Sequence, residues 1–147
     1  MRMYAVAIAS LALLAGCISV SGVQPGHYDA SSPHRNHVVI QVSDNDVSRW
    51  NLALNNARNL QTDLGIDNVE IEIVAYGPGL SMLKAESPVA PRIDESVLSG
   101  MKVSACENTM ANQKVTRDQI LPGVSFVPAG VVEIMRRQQE GWAYLRP

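Results

Sequence analysis

Residues 38–65 read VVIQVSDNDVSRWNLALNNARNLQTDLG, and the two halves of this stretch obey different periods. Val38-Val39-Ile40-Gln41-Val42 is a short β-branched run, the kind found in a strand covered on both faces. Ser43-Asp44-Asn45-Asp46 follows with several helix N-cap candidates. Val47, Trp50, Leu54, Ala57, Leu60 and Leu64 then recur at spacings of three and four, which predicts an amphipathic helix closed by Gly65. A strand running directly into a helix is the first half of a parallel β-α-β unit.

The succession repeats further along. Val69 to Ala75 (VEIEIVA) predicts a second strand, stopped by Gly77-Pro78-Gly79. Glu70 and Glu72 alternate with Val69, Ile71 and Ile73, so one face of this strand is expected to be wetter, as at a sheet edge or near a subunit boundary. Leu80 to Lys84 is weakly helical, and Ile93 to Ser99 predicts a short helix ended by Gly100. Lys102 to Ala105 is the third strand, closed by Cys106, and Glu107 to Gln113 begins helical. Val124 to Val127 is the fourth strand, followed by Pro128-Ala129-Gly130. Val131, Ile134, Met135 and Gln138 mark one face of the last helix, and Trp142 to Leu145 is a final short strand after Gly141. Alternation of this kind implies a mainly parallel sheet of about five strands with helices on both faces, a three-layer α/β/α sandwich, because parallel neighbours need right-handed crossovers.

A length of 147 residues with 46% apolar content suits one globular domain. The net charge is −2, and no run of Lys or Arg occurs, so the basic face that nucleic-acid binding requires is missing. Residues 1–16 are set apart from the domain. Met1-Arg2-Met3-Tyr4 is a short positive n-region, and Ala5 to Leu14 is apolar but too short to span a bilayer, as in the h-region of a secretory signal. Leu14-Ala15-Gly16-Cys17 resembles the lipobox of bacterial lipoproteins, in which the cysteine carries diacylglycerol. Ordinary signal-peptide cleavage with an incidental Cys17 is the alternative. On the lipoprotein reading, residues 17–36 are a lipidated cysteine and a Ser/Gly/Pro-rich tether of roughly 25 Å reach, and residues 37–147 form the domain. The expected location is the periplasmic face, lipid-anchored, at the outer membrane if the host is Gram-negative, since Ile18 rather than Asp follows the cysteine.

Lipidation of Cys17 leaves Cys106 without an intramolecular disulfide partner. In an open parallel sheet, ligands bind beyond the carboxyl ends of the strands, where loops 43–46, 77–79, 106–109 and 128–130 gather. Cys106 is the nucleophile of note among them. A thiol at the first turn of a helix meets unpaired N–H groups, which favour the thiolate, and Asn108 and Thr109 add hydrogen-bonding groups. Glu107 opposes the thiolate by like-charge repulsion. Asp44, Asn45, Gly77 and Gly79 are the other candidate substrate-binding residues at this edge. The competing reading makes Cys106 a small buried core residue.

Other chemistries fare worse. His27, His34 and His37 lie in or beside the tether, where Pro33 argues against the helix that would pair His34 with His37 on a metal, so no metal is expected. The pairs Asp44/Asp46 and Asp94/Glu95 fit helix capping better than acid–base work. No phosphate-cradling loop, dinucleotide fingerprint or GxSxG elbow occurs, and no cofactor is expected.

The succession VVIQVSD, VEIEIVAYGPGLSML, GMKVSACENTM and LPGVSFVPAGVVEIMRRQQEGWAYLRP resembles the DsrE/DsrF-like (YchN-type) family over residues 37–147. ACENTM and PGVSFVPAGVVEIMRRQQEGWAYL are its most specific pieces and resemble small stand-alone members. The resemblance implies an α/β/α sandwich that assembles into trimers or hexamers. It also implies a strand-end cysteine, here Cys106, that carries persulfide sulfur between a donor and an acceptor protein, at most a sulfurtransferase-like activity; on the same reading Cys106 would alternatively sense oxidised sulfur or thiols. The alternative is a non-catalytic ligand-binding or oligomeric assembly module in which Cys106 is structural.

Overall fold

The computed structural model describes residues 36–147. The expected signal segment and the tether as far as residue 35, with Cys17, His27 and His34, lie outside the described residues, and Asn36, expected to end the tether, opens the first strand. Five strands, β1 (Asn36–Val42), β2 (Val69–Ala75), β3 (Lys102–Cys106), β4 (Ser125–Val127) and β5 (Ala143–Leu145), form one sheet in the order β4-β3-β2-β1-β5. Each of the four pairings is parallel, with Ile40 opposite Ile73 and Ala75 opposite Ala105. The helices are α1 (Val47–Leu64), α2 (Ala90–Leu98), α3 (Glu107–Gln113) and α4 (Gly130–Gln139), and the weakly helical stretch after β2 is a 3-10 segment, Gly77–Leu83.

The chain steps from β1 to β4 in one direction, so its first crossovers share a face of the sheet. There Val38, Ile40, Ile71, Ile73 and Val103 meet Trp50 and Leu54 of α1, Leu80 and Leu83 of the 3-10 segment, Ile93 of α2 and Met110 of α3. Trp50 is core, and its indole N–H donates to the Asp44 carbonyl at 2.7 Å, tying the β1–α1 loop down. The step from β4 back across the sheet to β5 reverses direction, so α4 alone covers the other face. The core beneath it is small, built from Val39, Val74, Val127, Ile134 and Trp142.

Two expectations are corrected. VEIEIVA is the central strand rather than an edge, and Glu72 is completely buried. The carboxylate is tolerated because it accepts from Ser104 Oγ at 2.7 Å and pairs with Arg137 at 2.7 Å and Lys102 at 3.0 Å. On α4, the residues facing the sheet are Gly130, Glu133, Ile134 and Arg137, while Val131 and Met135 are 55% and 51% exposed. Apolar periodicity misplaced the buried face because charged groups occupy much of it.

Candidate functional site

β3 and β4 are neighbours whose outgoing connections part. Met110 of α3 packs into the larger core, whereas Ile134 of α4 packs on the opposite face. Such a divergence opens the crevice where open α/β sheets take their ligands. Cys106, the last residue of β3, stands at that point, paired with Val127 of β4.

Its sulfur is the meeting place of both connections. Cys106 Sγ accepts the Thr109 N–H at 3.4 Å and the Gly130 N–H at 3.2 Å. Gly130 opens α4, and Ala129 before it has no side chain able to cap, so the sulfur satisfies an amide that the helix leaves orphaned. The approach requires glycine. A Cβ at position 130 would stand 2.9 Å from the Cβ of Tyr76. Thr109 links a third loop: its hydroxyl accepts the Gly77 N–H at 2.9 Å, and Gln113 Nε2 donates to the Gly77 carbonyl at 2.9 Å.

Cys106 is 5% exposed. Burial pushes its thiol up, but the Thr109 hydroxyl and the Gly130, Thr109 and Asn108 amides outweigh that cost and hold it below its ordinary value of 9.0. The opposing carboxylate is answered as well. Glu107 pairs with Arg117, whose guanidinium carbon lies 4.4 Å over the Phe126 ring. A sulfur held by N–H donors and relieved of its nearest anion favours the thiolate, the form that attacks sulfur or carbon electrophiles.

The other residues picked from the sequence divide. Thr109 and Gly77 belong to the cradle. Asn108 is exposed, and its N–H donates to the Pro128 carbonyl at 3.1 Å, bridging the two loops through backbone rather than side chain. Gly79 is buried against the end of β1, where an added Cβ would come within 2.3 Å of the Val42 carbonyl oxygen, so its smallness serves packing. The Asp44 carboxylate lies 3.9 Å from Arg146, and Asn45 is exposed; neither shares a hydrogen bond with the sulfur cradle. Asp46 caps α1 by accepting the Ser48 N–H at 2.8 Å, and Glu95 pairs with Arg58 at 2.7 Å, which are structural duties. His37 pairs with Glu70 at 3.5 Å. Among the described residues, no group of three or more His, Cys, Asp and Glu side chains is placed to hold a metal.

Gly130, Tyr76 and Gln113 were missed. A glycine opening a helix directly after a strand was the available signal for Gly130, but a backbone amide donated across two strands leaves no residue-type mark. Beside Tyr76, the Tyr144 hydroxyl donates to Gln41 Oε1 at 2.5 Å, and burial pushes the Tyr76 phenol up, with Tyr144 adding to the shift.

A DsrE/DsrF-like family profile matches residues 36–147. The fold is similar to a protein of unknown function, MTH1491, from Methanobacterium thermoautotrophicum, at 40% identity and a TM-score of 0.73, covering 76% of this chain and 99% of that one. It is also similar to BT1422 from Bacteroides thetaiotaomicron, of unknown function, at 18% identity and a TM-score of 0.64, over 76% and 95% of the two chains. The ychN protein from E. coli aligns at 12% identity and a TM-score of 0.63, over 77% and 99%. No curated protein matches. The profile spans the whole described domain, and the five-stranded parallel sheet is the fold that these neighbours share: the chain belongs to the DsrE/DsrF-like family.

Proposed function

We propose that this protein is an exported, lipid-anchored carrier of sulfane sulfur, with Cys106 as the carrying residue. The supporting observation is the convergence of the Gly130 and Thr109 amides on Cys106 Sγ. The step is an exchange. The Cys106 thiolate attacks the outer sulfur of a donor persulfide, R–S–SH; the donor's S–S bond breaks, R–S⁻ leaves, and Cys106 becomes Cys–S–SH. An acceptor thiolate then takes that outer sulfur and returns Cys106 to the thiolate, so no external oxidant or reductant is consumed. Amide donors aimed at the inner sulfur stabilise it as the leaving group in the second transfer.

Carriage at a membrane surface rests on the lipobox-like LAGC at 14–17 and on the polar tether after it. Self-association is part of the same reading. Val131, Val132 and Met135 leave an apolar strip half exposed on α4, beginning one residue from the Gly130 amide, so a second copy seated there would border the sulfur.

The near-complete burial of Cys106 favours a second reading, in which the sulfur is only a helix cap inside a binding or assembly module. Intact-mass measurement separates the two. After incubation with polysulfide, the folded chain is expected to gain one sulfur atom, and Cys106→Ser to gain none; equal gains, or no gain in either, would overturn the carrier reading. The same spectrum, taken on chain extracted from the host's membranes, is expected to show a diacylglycerol-modified Cys17 as the first residue, and an unmodified chain would remove the anchor.

A further inference from the structure

The charged cluster under α4 shares no hydrogen bond with the sulfur, yet it is the most heavily paired group among the described residues. Glu72 lies in the central strand with no exposure, and Glu133 is 7% exposed. Arg137 reaches both, donating from Nε to Glu72 at 2.7 Å and to Glu133 at 3.1 Å, and it lies 4.3 Å over the Trp142 ring. Lys102 of β3 meets Glu72 at 3.0 Å and Glu133 at 3.6 Å, while Arg136 and Glu140 pair on the solvent side. Buried ion pairs contribute little net stability once desolvation is counted, but they penalise any other register severely, because a shifted partner leaves a buried charge uncompensated.

Register is what α4 otherwise lacks. Of its larger apolar residues only Ile134 is buried, whereas Val131, Val132 and Met135 are half exposed. Gly130 and Arg137 are seven residues apart, which places them on the same face about 10 Å apart along a rigid rod. We propose that Glu72 is a positioning residue: by holding Arg137 it sets where α4 lies on the sheet, and so holds the Gly130 amide on Cys106 Sγ. Glu72 does not contact the sulfur. This inference rests on Cys106 being a reactive thiolate, but not on what that thiolate carries.

The sign of the effect separates positioning from plain electrostatics. The charges facing Glu72 are Lys102, Arg137 and, further out, Arg136, with Glu133 as the second anion. Those about the sulfur are the paired Glu107 and Arg117, while the ring of Tyr76 packs against Gly130. Acting through space alone, removal of the Glu72 anion would ease ionisation of Cys106. Acting through α4, it withdraws an amide donor and makes ionisation harder. Iodoacetamide alkylation of Cys106 in the full chain, followed against pH, reads the difference. Glu72→Gln is expected to move the inflection upward by about one unit, a roughly tenfold slower reaction at pH values below it. Arg137→Lys, which keeps the charge and changes the geometry, is expected to move it the same way and serves if Glu72→Gln does not fold. Arg136→Gln, whose partners are Glu133 on α4 and Glu140 at its C-terminal cap, is expected to leave it in place. An inflection that is unchanged or lowered in folded Glu72→Gln, or unchanged in Arg137→Lys, overturns the proposal while the site stands. An ordinary inflection in the wild-type protein removes the site and the proposal together.

Discussion

Thr109 shows how much one hydroxyl carries. It accepts the Gly77 amide, reaches the Cys106 sulfur, and supplies its own backbone N–H to that sulfur. Thr109→Val keeps the shape and the amide but deletes the hydroxyl, leaving a half-buried donor on Gly77 without its partner and a thiolate with one partner fewer. The variant is expected to lose about 1 kcal/mol of stability in denaturant unfolding and to shift Cys106 ionisation upward, seen as slower alkylation at neutral pH. Unchanged alkylation would show that the hydroxyl takes no part in holding the sulfur. At this scale the sequence was informative about side chains and silent about backbone. Cys106 and Thr109 stood out as a thiol and a hydroxyl at a strand end, whereas the Gly130 amide was invisible. A peptide N–H belongs to every residue, and only the fold decides where it points.

Among the elements, α1 was legible from its spacing of three and four, β1 from a β-branched run and β2 from its alternation, with Asp46, Gly65 and Cys106 marking boundaries that the structure keeps. β2 was recognised as a strand but mislocated in the sheet. Glu70 and Glu72 look alike in the sequence, yet Glu70 is half exposed beside His37, and Glu72 is sealed against Arg137, a residue 65 positions away. Long-range charge pairing leaves no local pattern, which is also why the buried face of α4 was misread. The turn after β2 is tightly determined: Gly79 packs so closely on the Val42 carbonyl that even one methyl collides with backbone. Gly79→Ala is expected to destabilise the fold by about 3 kcal/mol, since neither backbone segment can yield without disturbing the sheet. Chemical denaturation checks this, and a midpoint equal to wild type would mean that the β1 and β2 loops separate more readily than their packing indicates.

The molecule as a whole brings two crossovers that leave neighbouring strands for opposite faces back to one sulfur. Only the completed topology creates that junction. Sheet order puts β3 beside β4, the return to β5 puts α4 on the thinner face, and the buried charges under α4 keep it there. Ionisation at the junction is therefore coupled to folding. A folded pKa below 9.0 means that the thiolate stabilises the fold fully above 9.0, and that this contribution is lost as pH falls through the lowered value. The most direct measurement is the ionisation of Cys106 in the folded full chain, followed by thiolate ultraviolet absorbance across pH, with Cys106→Ser as the blank. An inflection clearly below 9.0 is expected if the converging amides outweigh burial. An inflection at or above 9.0 would contradict the cradle, and with it the reading of Cys106 as a sulfur carrier.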